Sequence, residues 1–185
     1  MREKAKMAES ESTFGPVLVG MRGSGKSSVA PLLAARLNMT AIDADHEFEA
    51  RHGRKIAEVF AKEGEEHFRD LERSLLLDLL DLPQIVLATG GGAVLHPEFR
   101  GKLGGRFTIW LHAPLPLLAQ RIDGSDRPSL TEDAGLRELE IVLEKRKTLY
   151  QHVATQTINA DQPLPQIVDT IAARWHDWLN WRNER

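Results

Sequence analysis

Gly20-Met-Arg-Gly23-Ser24-Gly25-Lys26-Ser27 is a complete G-x-x-x-x-G-K-S run between an apolar stretch, Pro16–Val19, and a helix-like segment reaching about Leu37. Glycines at this spacing let the chain turn with its N–H groups pointing inward, a nest for phosphate oxygens. The helix that follows aims its positive end at the same anion. Gly23, Ser24, Gly25, Lys26, Ser27 and Ser28 are therefore the expected ATP contacts. Lys26 supplies a point charge for the β- and γ-phosphates, and the Ser27 hydroxyl ligates Mg²⁺. A turn that bound nothing would not require four fixed residue types in eight positions. The run names a phosphoryl donor and leaves the acceptor open.

Acceptor chemistry must come from elsewhere. Ile42-Asp43-Ala44-Asp45 closes a second short apolar run, and ligands of open parallel sheets gather at the carboxyl ends of strands. Asp43 and Asp45 could serve Mg²⁺ and a substrate hydroxyl, or Asp43 could simply cap a helix. Arg69 and Glu72 stand three apart, in line with Leu76 and Leu80. They form either an ordinary intrahelical pair or a fork oriented to grip a carboxylate. Arg146 takes one place in the stripe Leu136, Leu139, Leu143, Tyr150, where an arginine either snorkels or lies beneath an anionic ligand. Gly90, Gly91 and Gly92 bare the backbone after a third apolar run, as a plain turn or as the lining of a site. Arg127 lies in a Gly/Ser/Asp/Pro-rich stretch at about 123–135 that reads as a mobile lid. A cation there can close over the phosphates or remain solvated.

These residues need a scaffold. Short apolar runs at Pro16–Val19, Met39–Ile42, Gln84–Ala88, Arg106–Leu111 and Ala154–Ile158 alternate with helix-patterned segments near 44–52, 55–82, 97–102, 114–122, 135–150 and 164–181. Such alternation predicts an α/β protein, a parallel sheet covered on both faces. No repeat or linker divides residues 14–185, so one domain is expected, preceded by a disordered extension over 1–13. Trp175, Trp178 and Trp181, at spacing three, are expected to cover the body of the domain.

The chain has 185 residues, 42% of them apolar, and a net charge of −3. A polyanion-binding surface, and with it a nucleic-acid partner, is not expected. The absence of cysteine excludes disulfides and thiolate metal sites and fits a reducing cytoplasm. No run approaches the roughly 20 apolar residues of a membrane span.

As an ordered set the motifs resemble the shikimate kinase family. The resemblance is carried by Gly20–Ser27, Asp43-Ala-Asp45, Gly53-Arg-Lys-Ile-Ala-Glu-Val-Phe60, Gly64-Glu-Glu-His-Phe-Arg-Asp-Leu-Glu72, Gly90-Gly-Gly-Ala-Val94, Arg127-Pro128, Lys145-Arg146 and Leu149-Tyr150. It covers nearly all of residues 15–172. It implies a P-loop three-layer sandwich of the nucleoside-monophosphate-kinase-like kind, with five parallel strands and a mobile lid. The implied activity is MgATP-dependent phosphorylation of the 3-hydroxyl of shikimate, on the route to chorismate and the aromatic amino acids, by a monomeric cytoplasmic enzyme. By resemblance Asp45 holds the acceptor hydroxyl and is the candidate base. Arg69 and Arg146 hold the shikimate carboxylate, with Gly91 and Gly92 lining the pocket. Asp43 meets Mg²⁺ through water, and Arg127 joins Lys26 at the phosphates. The chain departs from the family at Asn159–Pro163, which lacks the arginine many members place on the adenine. Arg22 is a second departure, a cation positioned to meet phosphate or solvent. A gluconate or nucleotide kinase on the same scaffold, or a ligand sensor without catalysis, are the competing readings.

Overall fold

The computed structural model describes residues 14–122 and 135–185. The expected extension over 1–13 lies outside them, as do Arg127 and nearly all of the expected lid.

Five strands form one parallel sheet in the order β2-β3-β1-β4-β5: β1 (Val17–Val19), β2 (Thr40–Asp43), β3 (Ile85–Ala88), β4 (Thr108–His112) and β5 (Gln156–Asn159). The three central strands are buried almost throughout, whereas edge strands β2 and β5 are only partly covered. Strands covered on both faces must read as continuous apolar runs, which is why Val17-Leu-Val19 and Ile85-Val-Leu-Ala88 were legible. The covering helices are α1 (Lys26–Leu37), α2 (Ala44–His52), α3 (Ile56–Leu80), α4 (Pro97–Lys102), α5 (Leu115–Ile122), α6 (Leu136–Val153) and α7 (Leu164–Asn183). A single 3₁₀ turn, Ala93–Leu95, follows the glycine triplet.

Local chemistry explains the boundaries. Asn38 ends α1 in the left-handed region, its N–H returned to the carbonyls of Ala34 and Ala35. Asp43 starts α2, its carboxylate accepting the N–H groups of Asp45 and His46. The patterned segment 55–82 is broken at Gly64, where φ is 85° and ψ 171°. That kink folds the first part of α3 back so that Phe60 meets Phe68, ring centroids 4.6 Å apart.

Two expectations fail in part. Leu136 does not join the buried stripe of α6; at 53% exposure it stands on the opening turn, before the helix reaches the sheet. Leu139, Leu143 and Tyr150 are buried as expected. Trp175 is buried against Phe107 and Trp178 packs beside it, but Trp181 is half exposed because α7 has by then run past the sheet.

Candidate active site

The phosphate loop bridges β1 and α1, as the sequence requires. Gly25 sits at φ 92° directly before the helix, a conformation that strains any side chain although space is open there. Ser24 is buried, while Ser27 and Ser28 are exposed on the first turn of α1. The Lys26 ammonium is buried and donates to the carbonyls of Gly20 and Met21, both at 2.8 Å, and to Ser24 Oγ at 3.3 Å. The lysine therefore staples the loop into its curved form. A cleft opens over Gly23–Ser28 and runs to Arg121, Ala160, Gln162 and Leu164.

Ser27 and Asp43 face a common depression beside this cleft. Asp43 is thus both cap and candidate Mg²⁺ neighbour, because Oδ1 takes both of the cap's N–H bonds. The described residues contain no cluster of three His, Cys, Asp or Glu side chains able to cage a metal. A hydroxyl and one carboxylate suit a small hard cation that keeps water and substrate phosphates as its other ligands, which is the habit of Mg²⁺.

A second cleft lies beyond the glycine triplet. Its apolar walls are Ile56, Phe60 and Phe68 from α3 and Leu139 and Val142 from α6; Arg22, Arg69 and Arg146, the carboxylates Asp45, Glu72 and Glu138, and the Gly90–Gly92 backbone supply the polar lining. The sequence-predicted acceptor residues therefore converge. Arg69 Nη1 donates to Glu72 Oε2 at 2.7 Å, while Nε and Nη2 donate to Glu65 Oε1 at 3.1 and 2.9 Å. Its guanidinium lies so close to Gly92 that a Cβ there would collide with it. Arg146 is 8% exposed and does not snorkel. Its Nη1 and the Tyr150 hydroxyl both donate to the Gly91 carbonyl, at 3.1 and 2.6 Å, tying the glycine turn to α6. Burial pushes the Tyr150 hydroxyl up to about 12, so it stays a neutral donor. Burial alone would raise Glu72, but hydrogen bonds from His96 and Arg69 and the Arg69 charge outweigh it and hold Glu72 below the usual carboxylate range.

Among the described residues only Arg22 and Asp45 line both clefts. The Asp45 carboxylate lies against Gly90, where a Cβ would come within 2.8 Å of Oδ1. Arg22 lines the phosphate-loop cleft and also has a partner the sequence did not suggest. Its guanidinium pairs at 2.8 Å with the buried Glu138 of α6, joining the phosphate loop to a helix more than a hundred residues away.

Sequence reasoning also missed Arg121, which reaches from α5 to the Gly23 and Ala160 carbonyls at 3.4 and 3.2 Å. An arginine thus stands at the stretch 159–163 after all, supplied by another element. Its one linear signal was a cation in the last turn of a short amphipathic helix. Glu138 and His96 had none.

Sheet order, phosphate loop and paired clefts define a P-loop kinase of the nucleoside-monophosphate-kinase-like class. A family model described as shikimate kinase matches residues 22–176. The chain is 40% identical over 161 residues to the shikimate kinase of Nitrobacter winogradskyi, covering 86% of this chain and 75% of that one. It is 41% identical over 133 residues to a bifunctional shikimate kinase/3-dehydroquinate synthase of Thermotoga maritima; the match covers 72% of this chain and only 27% of that longer protein. Its structure aligns with a shikimate kinase from Acinetobacter baumannii in complex with shikimate at a TM-score of 0.81 and 32% identity, covering 94% and 97% of the two chains. The chain belongs to the shikimate kinase family.

Proposed function

We propose that this chain transfers the γ-phosphoryl group of MgATP to the 3-hydroxyl of shikimate, giving shikimate 3-phosphate and ADP for the synthesis of chorismate and the aromatic amino acids. The observation that carries the reading is the placement of Asp45 at the junction of a phosphate-loop cleft and an arginine-lined cleft. A hydroxyl held by Asp45 is presented to the end of a triphosphate lying along Gly23–Ser28. The new bond joins the 3-oxygen to the γ-phosphorus as the bond to the bridging oxygen of ADP breaks, and Asp45 accepts the hydroxyl proton. The transition state of phosphoryl transfer is loose, so alignment by Asp45 matters more than its basicity.

The roles divide by cleft. Lys26 and the loop N–H groups take the phosphates, Arg121 borders the far end of the nucleotide cleft, and Ser27 would ligate Mg²⁺ with Asp43 contacting it through water. The cation would neutralise phosphate charge and orient the donor. Arg69 and Arg146 take the shikimate carboxylate, with Gly91 and Gly92 beneath the ring. Arg127, outside the described residues, is assigned to the phosphates from its sequence context. Residues 14–185 act as one kinase domain with its lid over about 123–135. The enzyme works as a cytoplasmic monomer on small molecules, with neither nucleic acid nor membrane as partner; its slight net charge supports the first exclusion. Among the described residues no helix is long and apolar enough to cross a membrane.

A coupled assay of ADP release with shikimate, gluconate and nucleoside monophosphates tests the reading. Turnover of shikimate is expected at a kcat/KM at least about a hundredfold above the others, the discrimination expected when a site's buried polar groups go unpaired with the wrong ligand. Absence of shikimate turnover would overturn it.

A further inference from the structure

Glu72 lines the acceptor cleft and His96 stands behind it; they are buried at 5% and 7% exposure. His96 Nε2 lies 3.0 Å from Glu72 Oε2, the same oxygen that accepts Arg69 Nη1 at 2.7 Å. An ionised carboxylate only accepts, and Glu72 is held in that form. The proton of the histidine contact therefore sits on Nε2. The histidine is itself anchored. It occupies the cap position before α4, and Arg100 Nη1 donates to the Val94 and Leu95 carbonyls just upstream at 2.7 and 3.0 Å.

Arg69 has two unequal partners. Glu72 is buried at the cleft wall, whereas Glu65 is 54% exposed and holds the Nε–Nη2 edge. An exposed ion pair is worth little and exchanges readily, so the Nε–Nη2 edge is the one a ligand carboxylate can take over. That exchange requires Nη1 to stay on Glu72, and Glu72 to stay where it is. Its other oxygen abuts the glycine triplet, since a Cβ at Gly90 would lie 2.9 Å from Oε1. Without the His96 donor, Glu72 Oε2 would keep only its contact with Arg69 Nη1 and would draw the guanidinium toward itself, away from the ligand edge.

We infer that His96 is a positioning residue of the acceptor site: by donating to Glu72 it holds the Arg69 fork outward, so that the Nε–Nη2 edge meets the carboxylate of the acceptor. The inference rests on the function proposed above, with shikimate as the acceptor whose carboxylate Arg69 receives.

The test is steady-state kinetics of the full chain and of His96→Leu and His96→Gln, varying shikimate and MgATP separately. His96→Leu is expected to raise the KM for shikimate about tenfold, the loss of one hydrogen bond to a buried charged group, with kcat and the KM for ATP changed less than about twofold. His96→Gln keeps an N–H donor and is expected to return most of the loss. An unchanged shikimate KM in His96→Leu overturns the inference, as does an equal rise in both KM values. Should His96→Leu not fold, the imidazole ¹⁵N shifts of the wild-type chain decide. Nε2 is expected to carry the proton, and its resonance to move on adding shikimate but not on adding MgATP. An unprotonated Nε2, or a resonance indifferent to shikimate, overturns the role. Failure of the wild-type chain to turn over shikimate would instead overturn the proposed function, and is thereby distinguished.

Discussion

The phosphate loop at the floor of the donor cleft is one contiguous stretch shaped by its backbone, whereas the acceptor cleft is made by side chains from α3, the glycine turn and α6. In the first, curvature comes from glycines and from a lysine bonded to carbonyls five and six residues away. In the second, each cation is held by a group from its own surroundings: Arg69 by Glu65 and Glu72, Arg146 by the Gly91 carbonyl. Triphosphate recognition therefore travels with a short motif. Recognition of a small carboxylate depends on how three elements meet. Arg22 and Asp45 stand where the two designs touch.

The largest effect that separates the halves is expected from Lys26→Ala. It removes the proposed phosphate partner together with the staple of the loop, and kcat should fall about 10³-fold. Circular dichroism should show the sheet intact, and shikimate binding measured by calorimetry should change little. Loss of binding for both ligands would mean that the halves are not independent.

Arg22→Ala breaks the tie between them. The buried Glu138 loses its 2.8 Å contact with the Arg22 guanidinium, and unfolding by urea should report a loss of about 2 kcal/mol. The double variant Arg22→Met with Glu138→Met should recover much of it. A single variant as stable as the parent would show that the pair does not join the clefts.

Arg69→Ala probes the acceptor half alone. Its shikimate KM is expected to rise about a hundredfold, or about 2.7 kcal/mol, with the ATP KM nearly unchanged. Equal losses for both substrates would contradict the division of roles.

The smallest effect is pH-dependent. Glu72 titrates below an ordinary carboxylate in the folded chain, so its contribution to stability is complete above about pH 4.3 and is lost as pH falls through the lower folded value. Glu72→Gln should be less stable than the parent by about 1–2 kcal/mol at neutral pH. In urea titrations across pH the gap should close below about pH 4. A gap independent of pH would place the Glu72 contribution in packing rather than charge.

Legibility followed the same division. Strands β1, β3 and β4 were plain because burial on both faces demands unbroken apolar runs, and α2 was announced by Asp43. The kink at Gly64 was not, since a glycine inside a helical pattern gives no direction to a bend. The candidate site residues were recognisable one by one, yet Arg69 and Arg146 each kept an ordinary structural alternative until the fold brought them to one cleft. The exposed Leu136 and Trp181 show the converse, because periodicity assigns a face to a helix and does not say where the helix outruns the sheet.

By itself the amino-acid sequence determined the phosphate loop, the alternation of strands and helices, and the ordered motifs of the family. All of these depend on neighbours in the chain, through backbone sterics and the spacing of apolar residues. Only the tertiary structure decided that Arg22 serves Glu138, that Arg121 reaches the turn after β5, and that His96 and Arg69 share one oxygen of Glu72. Those pairings span from three to more than a hundred residues. Their strength comes from burial, which no local pattern encodes.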